Sequence, residues 1–594
     1  MFEFIPFLFA HQHKIFQFSV QICGEHARLL RWDKSGCIFT SSFHLDKDPQ
    51  ILSEFLWRFS KLTPAQRGFD CSVENATEEE EDTFEIALKK FEHDCTRDLD
   101  YFHELKTRQD RFPVYKVHVE DNKGTHMKLL VKRPLYADTS DFGRSTRAYP
   151  AYYISKKRWV FLKDYWHPVN KPNTEARIYD RLYDNNVSSL PVTLFAGEVK
   201  SSGSTLHRTM TSEYASCACL RSRDPALVHY RIVQEFLYPL KAVINSKELV
   251  RAMRDAVSCI TDAHRIGRGI HHRDLSYNNI MLSPQGHGIL GDWDQAEIVG
   301  QKNANSGRVG TWACMSIKLL QDPHGEHDIS DDLESCFWVL VHTALHYFPH
   351  KRAHKGRVVF PDFDEFTETH CDLHNKQHKY GGKSKLAFLQ SPNGLATFTW
   401  DCVPLDTLIH DVAQIVLQYN AGLNQGKVRT SVSHKEAREF LSNPTNLLNR
   451  FNKALASRGW PSEDKVDNLY PQGFQSTSSS DQENSNTQSD DEEQPSEDET
   501  QTEVSDQDAT SPPDTEALVK QMHSMKITAE EGPTSNVRRS ARIAMKLSDG
   551  DGVDVSAGSR KSGRKKGINT VGGKHETAPR ARGRPRWAVG SSVR

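Results

Sequence analysis

The chain has 594 residues, 76 Lys plus Arg against 78 Asp plus Glu, and 37% of its residues in the apolar set. A membrane-spanning helix needs about 18 or more consecutive apolar residues, and no run of that length occurs. The 11 cysteines show no CxxC spacing, which argues against a zinc ribbon or a thioredoxin-type motif and fits buried thiols in a reducing compartment.

The opening run Met1 to Ala10 is apolar but short, with no basic residues before it and no small-residue cleavage site after it, so it reads as a buried strand. Phe16 to Val20 and Gly36 to Thr40 alternate apolar and polar residues with period two, as half-buried strands do. The acidic run Glu78 to Asp82 reads as a solvated break. Residues 1–125 are therefore expected to form an N-terminal α/β accessory region. Residues 126–450 read as one continuous α+β domain, strands first and helices later, long enough to bury a large core. Within it, Arg158 to Lys163 is strand-like, and Pro172 to Leu182 is helical with Asn173 as its N-cap. Tyr230 to Phe236 is the next strand and Leu237 to Leu240 a hinge. A helix then starts at Ser246, with Leu249, Val250, Met253, Val257 and Ile260 on one face, and Gly267 and Gly269 close it. Asp331 to Leu340 opens a further apolar helix.

Beyond Pro471 the composition changes. Residues 451–535 are expected to be an acidic, Ser/Thr-rich disordered linker: Asp481 to Thr510 holds 12 acidic residues and no Lys or Arg. Such a stretch cannot bury enough apolar surface to offset its ordering entropy. Residues 536–594 form a basic tail, with 15 Lys or Arg against 4 Asp or Glu from Ser535 onward.

The segment that carries chemistry is His271-His272-Arg273-Asp274-Leu275-Ser276-Tyr277-Asn278-Asn279-Ile280-Met281-Leu282, followed 13 residues after Asn279 by Asp292. An H-R-D-L-x-x-x-N loop ahead of a further Asp is the signature of protein kinases. Phosphoryl transfer needs a carboxylate that orients the attacking hydroxyl and takes its proton, which suits Asp274. Mg²⁺ takes oxygen ligands, which Asn279 and Asp292 offer. Lys163 is a cation for the α- and β-phosphates of ATP, to be held in turn by a carboxylate from the next helix, Glu175. Taken alone, Lys163 reads equally as a strand-end lysine reaching to water; its place ahead of Glu175 and Asp274 favours the phosphate role. Backbone amides at the hinge, around Glu235 and Leu237, can meet an adenine edge. Gly310-Thr311 falls where serine/threonine kinases set the substrate-facing end of the activation segment. Asp332 matches the carboxylate that braces the catalytic loop.

Lys163-Asp164-Tyr165-Trp166, the HRDLSYNNIML run, a DxD in place of DFG, Gly310 to Met315 (GTWACM) and Asp331 to Ser335 (DDLES) together resemble the fungal-type protein kinase family. Gly24 to Asp70, with Trp32-Asp33-Lys34-Ser35-Gly36, resembles the region that precedes its catalytic core. The resemblance covers roughly residues 20–440. It implies a bilobal fold with a β-rich N-lobe and a helical C-lobe, ATP and Mg²⁺ as cofactors, and transfer of the γ-phosphoryl group to a protein; Thr311 and Arg273 of the HRD triplet favour a protein hydroxyl, hence a serine/threonine kinase. The alternative is a pseudokinase scaffold, or a binding protein acting through its tail.

The sequence departs from the kinase pattern in several places. Gly143 is the one glycine available for a phosphate loop, with Arg144 beside it. Asp294 replaces the glycine of DFG and Trp293 the phenylalanine. Ser276 stands where a lysine usually steadies the γ-phosphate. Lys318 takes the place of the APE glutamate, which is expected to remove the usual buried ion pair. Arg273 is expected to pair with a phosphorylated activation-segment residue, and Ser306 is the only hydroxyl side chain between Asp292 and Gly310.

Other features carry plainer readings. His370, Cys371, His374 and His378 lie at helical spacing and are read as surface or core residues ahead of zinc ligands. His342 and His346 read as satisfied core histidines, and Cys217 and Cys219 as two thiols. In the tail, Arg582-Gly583-Arg584-Pro585-Arg586 resembles the AT-hook family of minor-groove binders, whose arginines enter narrow A·T grooves. This points to A/T-rich DNA as a partner and to the nucleus. A nuclear-localisation or generic polyanion-binding tail fits the same charges.

Overall fold

In the computed structural model, which describes residues 4–470 apart from internal stretches (the longest being 100–111, 216–225, 353–367 and 424–432), an eight-stranded antiparallel sheet precedes a helical region. The strands run, in spatial order, Thr193–Glu198, Leu227–Glu235, Arg158–Pro168, Arg147–Tyr153, His126–Val131, Tyr115–Glu120 and Val73–Asn75, with Tyr136–Ala137 pairing on Arg147–Tyr153. This is the α+β arrangement expected, strands first and helices later. The boundary expected at residue 125 falls inside the hairpin between Tyr115–Glu120 and His126–Val131, so the sheet draws strands from both sides of it. Strand Arg158–Pro168 also runs past its expected end at Lys163, because Lys163 and Asp164 are buried with Tyr165 and Trp166.

Two N-terminal readings are corrected. The opening run folds as helix Phe4–His11, burying Ile5, Pro6, Phe9 and Ala10; an apolar run without alternation does not separate strand from helix. The acidic run Glu78 to Asp82 starts helix Glu78–Asp94. Thr77 and Glu80 form a capping box there, and four glutamates in the first turn face the positive end of the helix dipole. Phe84 of this helix packs edge-on against Trp159 at 5.4 Å. The strands expected near Phe16 and Gly36 are present as Phe16–Cys23 and Gly36–Phe39, in a four-stranded sheet with His26–Asp33 and Phe43–His44. This small sheet is fastened to the larger lobe through Asp33, whose Oδ2 accepts from the amides of Met210 (2.8 Å) and Thr211 (3.0 Å).

The helical region is built around Ser246–Arg265, Ile329–Tyr347, Val403–Leu423 and Pro444–Ala456, with Phe337, Trp338 and Trp400 almost entirely buried. Its first helix is capped by Asn245 and not by Ser246. Gly288 lets the hairpin Ile280–Leu282/Gly288–Leu290 lie directly on this helix: a Cβ there would meet the carbonyl oxygen of Ala252 at 2.1 Å. The linker is expected from residue 451, but the chain there is folded. Helix Pro444–Ala456 buries Phe451 and Ala454, and Val466 and Leu469 donate to the carbonyls of Tyr347 and His346, each at 2.9 Å. His370 and His378 pair across the hairpin Glu368–Cys371/Gln377–Tyr380, so the helical spacing read there is not helical. Cys217, Cys219, Gly267, Ser306 and residues 471–594, with the basic tail, lie outside the described residues. Among the described residues no helix is long and apolar enough to cross a membrane.

Candidate active site

Lys163 and Asp164 occupy successive positions of one strand, so their side chains leave opposite faces of the sheet. Lys163 Nζ donates to Glu175 Oε2 at 2.8 Å and to Asp292 Oδ1 at 2.5 Å. Burial works against the Lys163 ammonium, but Asp292 and Glu175 outweigh it and hold its pKa above the ordinary lysine value. Glu175 is placed by the start of helix Glu175–Asp184, whose N-cap is Thr174, one residue after the Asn173 expected.

The catalytic loop is braced from below. Asp332 accepts from the amides of His272 (2.8 Å) and Arg273 (3.0 Å) and from His327 Nε2 (2.9 Å). This holds Arg273 at φ +71°, a conformation that non-glycine residues adopt only where the surroundings impose it. His272 reaches the carbonyl of Gly291 at 2.9 Å, and Asn279 Nδ2 donates to the carbonyl of Asp274 at 2.7 Å. The amide of Gly291 donates to the carbonyl of Asn279 at 2.9 Å, which sets Asn279 beside the turn into Asp292. Asp274 Oδ1 accepts from both the amide (2.9 Å) and the hydroxyl (2.8 Å) of Thr311.

Lys163, Glu175, Asp274, Asn279 and Asp292 all line one cavity of about 690 Å³, as do Glu235 and Leu237 from the hinge. The Glu235 carboxylate is turned to the amide of Val192 at 2.9 Å. Gly143 is the exception among the expected site residues. Its amide donates to the carbonyl of Lys34 at 2.8 Å, and it does not line the cavity. Arg144 lines it instead. This side chain binds Asp294 Oδ2 at 2.7 Å, while Lys171 Nζ holds Asp294 Oδ1 at 2.7 Å. Burial opposes the charge on Asp294, but Arg144 and Lys171 overcome it and keep the carboxyl ionised, well below its ordinary pKa. Asp294 therefore ties the loop ahead of Lys163 to the segment that carries Asp292.

Sequence reasoning missed Arg144 and Lys171 as partners of Asp294, and Leu99, which enters the cavity wall from the N-terminal region. Nothing local to Lys171 or Leu99 marks them. The ion pair expected to be missing at Lys318 is present with its sign reversed. Lys318 Nζ lies 2.8 Å from both Asp328 and Asp331. Buried Glu334 accepts from the amide of Ile317 at 2.8 Å, Trp338 Nε1 at 3.0 Å and Asn420 at 3.0 Å.

On the opposite face of the sheet, Asp164 accepts from Arg147 at 2.9 Å and from His229 Nε2, and Asp70 accepts from Arg231 at 2.7 Å. Asp70, His207 and His229 bring ligand atoms within 4.8 Å of one another. Both Asp70 oxygens are already engaged, one by Arg231 and the other by Ser72, and a guanidinium at 2.7 Å opposes a dication there.

A lysine held by a helix carboxylate, a braced HRD loop and an Asn–Asp pair around one interlobe cavity define a phosphotransferase of the protein-kinase class. The family model described as fungal protein kinase matches residues 5–344, more than half of the 594-residue chain, and the chain belongs to that family. No curated protein matches it.

Proposed function

We propose that the protein is an ATP- and Mg²⁺-dependent serine/threonine protein kinase that transfers the γ-phosphoryl group to a hydroxyl of another protein. The observation that carries this is the assembled Lys163–Glu175 pair, with Asp292 at 2.5 Å, lining one cavity with Asp274. The oxygen donors of Asn279 and Asp292 fit a hard cation. Mg²⁺ held there by Asn279 and Asp292 would neutralise charge developing on the β- and γ-phosphates. Lys163 holds the α- and β-phosphates. Arg144 places a side-chain charge where glycine-loop amides serve in other kinases. Thr311 fixes the orientation of Asp274, which takes the proton of the entering hydroxyl as the new P–O bond forms and the bond from the γ-phosphorus to the bridging oxygen breaks, releasing ADP.

Labelled phosphate should enter generic protein substrates with wild type and fall to background in Asp274→Asn and Lys163→Met. Equal silence of folded wild type and variants, with nucleotide still bound, would support a scaffold in place of an enzyme. For the tail, Arg582, Gly583, Arg584 and Pro585 are proposed to bind A/T-rich DNA in the nucleus, on charge and motif alone. Affinity for A/T duplex should fall steeply with salt and lose its A/T preference in Arg582→Ala/Arg584→Ala.

A further inference from the structure

Arg273 precedes the catalytic Asp274, and the sequence offers Ser306 as a phosphorylation site to partner it. A partner anion of another kind is already in contact. Arg273 Nη1 lies 3.0 Å from Glu297 Oε2, with side chains 6% and 22% exposed. Glu297 sits on the short strand Glu297–Ile298, which pairs antiparallel with Ile270–His271, so that Glu297 stands opposite His271. The carboxylate is thus carried on backbone registered against the strand that enters the catalytic loop.

The contact extends to the far end of the activation segment. Gly310, at φ +127°, packs on the backbone of Arg273, where a Cβ would meet the Arg273 carbonyl oxygen at 2.9 Å. The next residue, Thr311, makes both hydrogen bonds to Asp274 Oδ1. Glu297, Arg273, Gly310, Thr311 and Asp274 therefore form one connected path, from the start of the segment to the proposed base. A partly buried ion pair resists screening far better than an exposed one. A carboxylate brings less charge than a phosphoryl group, which carries about −1.5 to −2 at neutral pH. Here it is fixed by the strand pairing and needs no modification to arrive.

We infer that Glu297 is a positioning residue that holds the catalytic loop and Thr311 in their working arrangement, in place of a phosphoryl group on the activation segment. The inference rests on the kinase reading, and it makes activity independent of phosphorylation at Ser306.

The test uses the full-length protein as wild type, Glu297→Gln, Glu297→Asp and Ser306→Ala, with and without phosphatase treatment. Glu297→Gln should lower kcat about ten- to a hundredfold while KM for ATP moves less than about threefold, because the Lys163 side of the site is untouched. Glu297→Asp should recover part of the lost kcat. Phosphatase treatment and Ser306→Ala should leave kcat at the wild-type value. Hydrogen exchange over residues 308–316 should quicken in Glu297→Gln. Wild-type kcat in Glu297→Gln, or loss of activity on phosphatase treatment, overturns the inference. A folded wild type without phosphotransfer rejects the kinase reading instead. The exchange measurement then decides the positioning role by itself: faster exchange at 308–316 upholds it, and unchanged exchange overturns it.

Discussion

Lys163 and Asp164 are adjacent in the chain, and each anchors a network of buried charge on its own face of the same sheet. Behind the sheet, Asp164 and Asp70 are balanced by Arg147 and Arg231, and each of these side chains is at most 7% exposed. In front, Glu175, Asp292 and Asp294 are balanced by Lys163, Arg144 and Lys171. Here Asp292 is 32% and Arg144 33% exposed to the cavity. Carboxylates and Lys or Arg partners are equal in number in each network, two and two behind the sheet and three and three in front, and the networks differ in access. A closed network has nowhere to exchange its partners, so its free energy goes into holding the N-terminal region on the lobe. An open one can trade an internal partner for a phosphate or a cation, and its charges are available for chemistry.

The sharpest way to break this contrast is to remove charges on the open side. Asp274→Asn and Lys163→Met should each reduce phosphotransfer by about a thousandfold or more, Asp274→Asn with little change in thermal unfolding. On the closed side the balance reverses. Asp164→Ala leaves the buried Arg147 guanidinium without its carboxylate, and breaking a buried pair in this way costs about 3–5 kcal/mol. Thermal denaturation should show that loss. Glu175→Gln should lower the unfolding temperature less than Asp164→Ala and lower activity more. Should Glu175→Gln prove the more destabilising of the two, the division of labour proposed for the two faces is wrong.

Acid probes the closed network without a mutation. Burial, against a weaker opposing pull from Asp70, lowers the His207 pKa from its ordinary 6.5 to about 4. The folded state therefore keeps this imidazole neutral where the unfolded chain protonates it. The resulting stability is complete above about pH 6.5 and is lost as pH falls towards 4, on the order of 3 kcal/mol in all. His207→Gln should flatten that part of the stability profile. An unchanged acid slope in His207→Gln would place the titration elsewhere.

The grouping of Asp274, Asn279 and Asp292 around one cavity is legible in the sequence, because the protein-kinase signature sets residue type and spacing within one short segment. Lys163 and Glu175 followed from their order ahead of it. Pairings between distant charges were not legible. Asp294 was recognised as a departure from the kinase pattern, but its partners Arg144 and Lys171 come from other elements, and only the folded chain brings them together. Lys318 in sequence implies the loss of an ion pair, since its position alone does not reveal Asp331 beside it. Local signals erred by small steps where two adjacent residues could both serve, as with Asn173 and Thr174 or Asn245 and Ser246 at helix starts. Phe4–His11 was misassigned because a short apolar run fits a helix as well as a strand.

The smallest expected effect bears on how the open side would hold phosphate without a glycine-rich loop. The amide of Gly143 is committed to Lys34, so the nearest positive group from that loop is the Arg144 guanidinium. A hydrogen bond to a charged group contributes about 1.5–3 kcal/mol, so Arg144→Ala should raise KM for ATP by about tenfold or more, with kcat changed less. That result has two possible causes, since removing Arg144 also leaves Asp294 with Lys171 as its remaining charged partner and more repulsive to phosphate. Arg144→Ala/Asp294→Gly separates them. Recovery of KM in the double variant would make neutralising Asp294 the function of Arg144. A KM that stays high would mean that Arg144 contacts the phosphates itself. An unchanged KM in Arg144→Ala alone would show that openness to the cavity does not make a charge functional, and the contrast between the two faces would then rest on Lys163 and the carboxylates alone.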